Sequence, residues 1–320
     1  HRLLGEAHFS ARRLQEARHH LLQSVTLLSA SVPQQTLLGL LSEVRKQMAH
    51  RFLPSQWSIK QGLEASKALE ASRAYERLAH IFFFDNETVP LLYASLRSLN
   101  LAENVTNSPE LVRAYGTIGN ACALIPSYTL ARFYAQKSED VSEIVNDITA
   151  DVWRHQMTGH YLASKGDHDI ALERYQKAAD MANEIGHVAR WEENLTLIGM
   201  VEYAVGRYDA AAEHREIIYD HAIKTHNEQS IGWALLGKIE YAILQGRFED
   251  AHNYFAEFAY VEDRMGLTEK IWMHGMKARL QAMQNNPQTQ ETAETALALM
   301  NQLSTPNAYY SQEGYTGIAE

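Results

Sequence analysis

Gly199-Met-Val-Glu-Tyr-Ala204 is echoed by Gly237-Lys-Ile-Glu-Tyr-Ala242, and this pair of six-residue words decides how the rest of the chain reads. Their glycines belong to a ladder. Gly119, Gly159, Gly199, Gly237 and Gly275 lie 40, 40, 38 and 38 residues apart, and Ala79 stands 40 before the first of them. A second ladder of Ala131, Ala171, Ala211 and Ala251 runs beside it in steps of 40. The step from glycine to alanine is 12 three times and 14 at Gly237; Gly5 and Ala17 are also 12 apart. A fixed period of this size marks an array of small units, each unable to bury its apolar face alone.

Each period reads as two helices. Val152, Trp153, Met157, Tyr161 and Leu162 recur at helical spacing, and Gly166-Asp167 supplies a stop and a new start. Ile170, Ala171, Tyr175, Ala178, Ala179 and Ala182 then mark a second helix that ends near Gly186. The following units break at Gly206 and Gly246, each followed by an aromatic (Tyr208, Phe248) and an acidic residue able to open the next helix. No segment alternates apolar and polar for long and no Asn-Gly hairpin signal occurs, so strands are not expected. Gly in a helix interior costs about 1 kcal/mol relative to Ala, so its recurrence implies close helix–helix approach.

Composition narrows the choice of architecture. A single core stops growing at roughly 250–300 residues, so 320 residues with 46% hydrophobic content imply either two domains or an elongated array, and the repeat ladder favours the array. One cysteine, Cys122, cannot form an internal disulfide or a cysteine-based zinc site, and suits a small apolar packing position in a first helix. With 29 Lys+Arg against 39 Asp+Glu, the net charge of −10 argues against a general nucleic-acid binder. The most apolar runs, such as Ile81-Phe82-Phe83-Phe84, are far short of the ~20 residues that span a bilayer, so membrane insertion is not expected. The chain opens His-Arg-Leu-Leu-Gly as if already inside a helix, without a basic-then-apolar leader. Residues 306–320 read as the start of a further unit. An excised piece of a longer protein is the expectation.

Trp233-Ala-Leu-Leu236-Gly237 and Ala251-His-Asn-Tyr-Phe255 resemble the two halves of the tetratricopeptide repeat, as do Ala171 with Tyr175 and Gly5 with Ala17 and Leu21. The resemblance implies an all-α fold, a TPR-like α-α superhelix (solenoid) of about six to seven helix pairs. The period of 38–40 exceeds the family's 34, and Ala135 and Arg215 replace the expected second-helix aromatic. The expected division is a partial unit over 1–28, an irregular helical crossover over 29–64, the helix-pair array over 65–305, and the truncated repeat over 306–320. Val32-Pro33, Pro54-Ser55 and Gly62 punctuate the crossover, with an apolar helix around Leu37–Met48.

A narrower resemblance rests on Leu78-Ala-His-Ile-Phe-Phe-Phe-Asp-Asn86, on Tyr93 through Glu103, and on the opening Arg2–Ala7 with Leu14–Arg18. These are similar to the repeat region of large bacterial signalling proteins that join an adenylate/guanylate cyclase domain, an ATPase domain and a carboxy-terminal TPR array. That implies a cytoplasmic signalling context. Neither catalytic domain lies in these residues, so the resemblance gives this segment no catalytic function.

Apparent chemical motifs read as structure. Gly232 through Lys238 spells the core of a phosphate-binding loop, but Ile239 replaces the Mg²⁺-coordinating hydroxyl and the interior is helix-forming. The densest histidines, His19-His20, His155 with His160, His214 and His221, lack the i, i+4 spacing of a helical zinc site. Adjacent carboxylates such as Glu192-Glu193 do not face each other on a helix. No catalytic residue, metal or cofactor is expected.

The TPR resemblance also implies a concave groove lined by first helices. Its positions fall on Asn120, Trp153, His160, Met200, Tyr203, Lys238, Tyr241, Trp272, Met276 and Arg279. Aromatics, Met and isolated cations suit a partner helix or extended peptide, from another protein or another domain of the same chain. Core packing between repeats is the alternative for the aromatics. Only Asn120 matches the Lys/Asn clamp by which some TPR domains hold a terminal carboxylate, so that binding mode is not expected. The leading expectation is a non-catalytic interaction and regulatory scaffold. The alternative is a small-molecule sensor domain, as in helical-repeat signalling ATPases or transcription activators, which requires an enclosed pocket with converging polar groups.

Overall fold

A computed structural model describes residues 1–11, 13–30, 37–52, 59–303 and 308–319. The punctuation at Val32-Pro33 and Pro54-Ser55 lies outside them. Among the described residues the regular structure is entirely helical. The chain divides into two compact units, His1–Arg174 and Tyr175–Glu320. The first unit holds α1 (Arg2–Ser10), α2 (Leu14–Leu27), α3 (Leu37–Phe52), α4 (Gly62–Phe84), α5 (Thr88–Ala102), α6 (Pro109–Leu124), α7 (Tyr128–Val145) and α8 (Ile148–Lys165). The boundary falls within α9 (His168–Glu184). The second unit continues with α10 (Val188–Ala204), α11 (Tyr208–Thr225), α12 (Glu228–Leu244), α13 (Phe248–Phe258), α14 (Leu267–Met283), α15 (Thr289–Met300) and α16 (Ala308–Ala319).

The helix ends follow local chemistry. Gly206 and Gly246 take φ of +80° and +71°, left-handed conformations that stop α10 and α12 two residues after their last helical turn. Ser108 accepts a hydrogen bond from the Leu111 N–H and is followed by Pro109, while Asp147 caps α8 through the Ala150 N–H. Consecutive helices then pack as pairs: α1 with α2, α4 with α5, α6 with α7, α10 with α11, α12 with α13, and α14 with α15. This is a TPR-like array of helix pairs.

The twelve-residue step is the crossing point inside a pair. A Cβ on Gly5, Gly119 or Gly199 would stand 3.3, 3.4 or 3.5 Å from the carbonyl oxygen of Ala17, Ala131 or Ala211. Small residues on both helices therefore let the backbones approach. At Gly237, where the step lengthens to 14, the nearest atoms belong instead to Arg215 of the preceding pair.

Apolar side chains close each unit separately. Leu21, Tyr75, Leu78, Phe82 and Tyr93 form one core of the first unit, and Leu99, Val112, Ile118 and Tyr134 another. Leu235, Leu236, Ile239, Phe258 and Leu280 anchor the second unit. Ion pairs reinforce the first: Arg73 Nε donates to Glu110 at 2.6 Å and Arg113 Nε to Glu76 at 2.9 Å, tying α4 to α6 in both senses. Arg2 to Glu70 and Arg77 to Glu6 tie α1 to α4 in the same manner.

The helix expected around Leu37–Met48 forms as α3, with its polar face turned inward. Glu43 and Gln47 are 1% and 6% exposed, whereas Leu38 and Phe52 are 78% and 72% exposed. Gln47 donates to Asn100 at 3.0 Å and to Glu103 at 2.6 Å, and accepts from the Tyr134 hydroxyl at 3.0 Å. Asn100 donates to Glu43 at 2.9 Å and Arg97 to Glu43 at 3.4 Å. The buried Glu43, Gln47 and Asn100 side chains are thus hydrogen-bonded to one another or to their neighbours, which is what makes their burial tolerable.

Candidate functional site

The ten residues expected in the groove do not share one fate. In the first unit, Trp153 is buried against α6, its indole N–H donating to Thr117 Oγ1 at 3.0 Å and its ring 5.1 Å from that of His80. His160 is buried on the same helix, and half-buried Asn120 points its amide at Met157 Sδ at 3.8 Å. These side chains lie where α4, α6 and α8 meet.

In the second unit, Lys238 and Tyr241 reach the second helices. Lys238 Nζ donates to Glu216 at 2.7 Å and sits 4.3 and 4.8 Å from the rings of Tyr219 and Tyr254. The Tyr241 hydroxyl donates to Asp209 at 2.5 Å. A cavity of about 20 Å³ beside them has room for roughly one water.

Tyr203 on α10 and Arg279 on α14 do converge, and bring two glutamates with them. Arg279 Nη1 lies 3.6 Å from Glu313 Oε2 on α16. Burial raises the Tyr203 phenol, and the charges of Glu240 and Glu313 raise it further. Glu240 on α12 is pushed up to about 8, by burial first and by Glu313 in addition, against the lowering influence of Arg215 and Arg279. Trp272 and Met276 are buried in the same region and Met200 is half-buried.

The floor of this face is glycine. A Cβ on Gly275 would meet the Gly314 Cα at 2.5 Å, and one on Gly317 would meet the Gly275 carbonyl carbon at 2.7 Å. The last rung of the glycine ladder therefore receives α16, backbone against backbone, with Glu313 beside Arg279. The first-helix surface of this unit already holds a helix that presents a small-x-x-small edge and a carboxylate.

Sequence reasoning passed over Glu240, Glu313, Gly314 and Gly317, and marked Arg215 only as standing where a second-helix aromatic is expected. Glu202 and Glu240 occupy the same place in the repeated six-residue words, and Arg215 feels the charge of both. Arg215 is buried, burial lowers its pKa, and neither Nη has a hydrogen-bond partner. Repetition of Glu inside an apolar word was the available signal. The phosphate-loop spelling at 232–238 lies wholly inside α12. Among the described residues no group of three or more His, Cys, Asp or Glu converges as metal ligands would, and no helix is long and apolar enough to cross a membrane.

No protein-family model matches this chain, and no curated protein matches it. One solved structure, titled "Functional Characterization of Pseudomonas Aeruginosa pilF", is similar over 79% of this chain and 99% of its own, at 13% identity and a TM-score of 0.45. A likeness of that extent bears on neither function nor partner.

Proposed function

We propose that this chain is a non-catalytic interaction scaffold whose second unit binds a partner helix on the face formed by α10, α12 and α14. The observation that carries the reading is α16 packed on α14, with Gly314 and Gly317 against Gly275 and Glu313 beside Arg279. A surface shaped for one helix of that pattern accepts another, which then competes with α16. Glycine permits close approach, and the aromatic and arginine side chains at the edge supply the specific contacts. Of the second unit's groove residues, Tyr203, Met200 and Arg279 are the contact set, while buried Trp272 shapes the face from behind.

The wider setting we propose is a larger cytoplasmic signalling protein of the cyclase–ATPase kind, supported by the resemblance of residues 78–86 and 93–103. The repeat register supports the division at 28, 64 and 305 as units of sequence, distinct from the two units of compactness.

Hydrogen exchange on a chain ending at residue 303, with and without a peptide spanning 304–320, tests the helix face. Protection is expected in α10, α12 and α14. Protection confined to α11, α13 and α15 overturns the assignment.

A further inference from the structure

The first unit carries a second feature, unrelated to the helix face. Between α7, α8 and α9 lies an open concavity of about 270 Å³. Four cations line it, Arg132, Arg154, Lys165 and Arg174, against a single carboxylate, Glu139. Asp151 and Asp167, outside the lining, each pair with one of these cations, which leaves a small local excess of positive charge in a protein with a net charge of −10.

The cations are incompletely satisfied. Arg154 is nine-tenths buried and held rigidly: Nε donates to Asp151 at 2.8 Å, and Nη2 lies 2.9 Å from His155 Nε2. Its Nη1 and the Nη1 of Arg174 share Glu139 at 3.5 and 3.8 Å, long distances for guanidinium–carboxylate pairs. The Arg174 Nε is buried without a hydrogen-bond partner. Lys165 is paired with Asp167 at 2.6 Å, and exposed Arg132 has no ion pair among the described residues. One wall is apolar, with Leu162 and the half-exposed Ile170.

We propose that this concavity binds a small organic phosphate, a phosphate monoester whose apolar portion lies on Ile170 and Leu162. Planar guanidinium forks match the oxygens of a phosphate, and a dianion supplies acceptors for the Arg174 Nε and the Nη groups that Glu139 serves poorly. Glu139, partly exposed, swings aside as the dianion enters. The volume sits at the small end of ligand pockets, roughly 300 Å³ upward, which suits a phosphorylated ring and is too small for a macromolecular partner. Four cations without a metal-binding carboxylate cluster favour an anion over a cation.

Isothermal titration of the full chain at matched ionic strength tests this, with phenyl phosphate, inorganic phosphate, sodium chloride and heparin as probes. Phenyl phosphate is expected to bind saturably and more tightly than inorganic phosphate, and to raise the melting temperature. Arg132→Glu, an exposed substitution that leaves the unliganded melting temperature unchanged, is expected to weaken phenyl phosphate at least about tenfold. Arg174→Gln should do the same, while Arg247→Glu, in the second unit, should have no effect. Equal affinity for phenyl and inorganic phosphate, full affinity in Arg132→Glu, no binding above sodium chloride, or binding of heparin alone would each overturn the proposal.

Discussion

The side chain of Arg215 lies across Gly237: a Cβ built on that glycine would stand 2.5 Å from Arg215 Cδ and closer still to Nε. This contact joins α11 to α12 and fills the place that an aromatic residue occupies in an ordinary repeat. Gly237→Ala must displace the stem of a buried guanidinium. The expected cost is roughly 1–3 kcal/mol, as for other overpacked sites. Gly119→Ala meets the Ala131 carbonyl and Ala135 amide at 3.4 Å and Tyr134 Cβ at 3.6 Å, and the gain of about 1 kcal/mol in helix propensity offsets that. Urea denaturation of the two variants should separate them clearly.

Glu240 makes stability depend on pH in an unusual sense. Its folded-state pKa, about 8, lies above the unfolded value of 4.5, so the folded state holds the proton more tightly. The resulting stability is fully present below pH 4.5 and is lost as pH rises through about 8. Glu240→Gln should match the native chain near pH 5 and exceed it by about 1–3 kcal/mol near pH 8.5. Thermal melts across that window read the difference; parallel curves for both proteins would contradict the assignment.

Glu110 titrates in the opposite sense. Burial would raise its carboxyl, but the Arg73 hydrogen bond, backbone hydrogen bonding at the start of α6 and the Arg113 and Arg73 charges outweigh it and hold it low. Its stabilisation is present above the usual carboxylate pKa and lost as pH falls through the depressed value. Glu110→Gln should cost about 2 kcal/mol at pH 7, less than a fully buried pair because Arg73 is over a third exposed. The gap between variant and native chain should shrink on acidification.

The inverted seating of α3 sets leucine against glutamine. Leu38→Gln and Leu41→Gln should change stability by no more than about 0.5 kcal/mol, since both side chains are exposed. Gln47→Leu, conservative by hydropathy, strands Tyr134 and Asn100 and should cost about 1–3 kcal/mol. Chemical denaturation of the three variants orders them, and the reverse order would place the leucines inside.

The helix pairs were legible because their punctuation is local. A glycine able to take positive φ, an aromatic and an acidic residue stop one helix and start the next without help from the rest of the chain. The twelve-residue step was legible for the same reason: two backbones can cross closely only where both side chains are small. The direction of α3 was not, because amphipathic spacing shows that a helix has two faces but not which one docks. That Lys238 and Tyr241 pair with Glu216 and Asp209 was not legible, because a long stem or a terminal hydroxyl finds partners on the neighbouring second helix. Nothing in one dimension marks Arg215 and Glu240 as buried, since only the packing of α10, α11 and α12 encloses them. Glu313 and Gly314 came to the site from a segment far along the chain.

Calorimetric titration of the 304–320 peptide into the chain ending at residue 303 tests the helix face most directly. Saturable one-to-one binding is expected, weakened at least about tenfold by Arg279→Ala in the protein or by Gly314→Leu in the peptide. No binding, or binding indifferent to both substitutions, would contradict a helix-receiving surface on α10, α12 and α14.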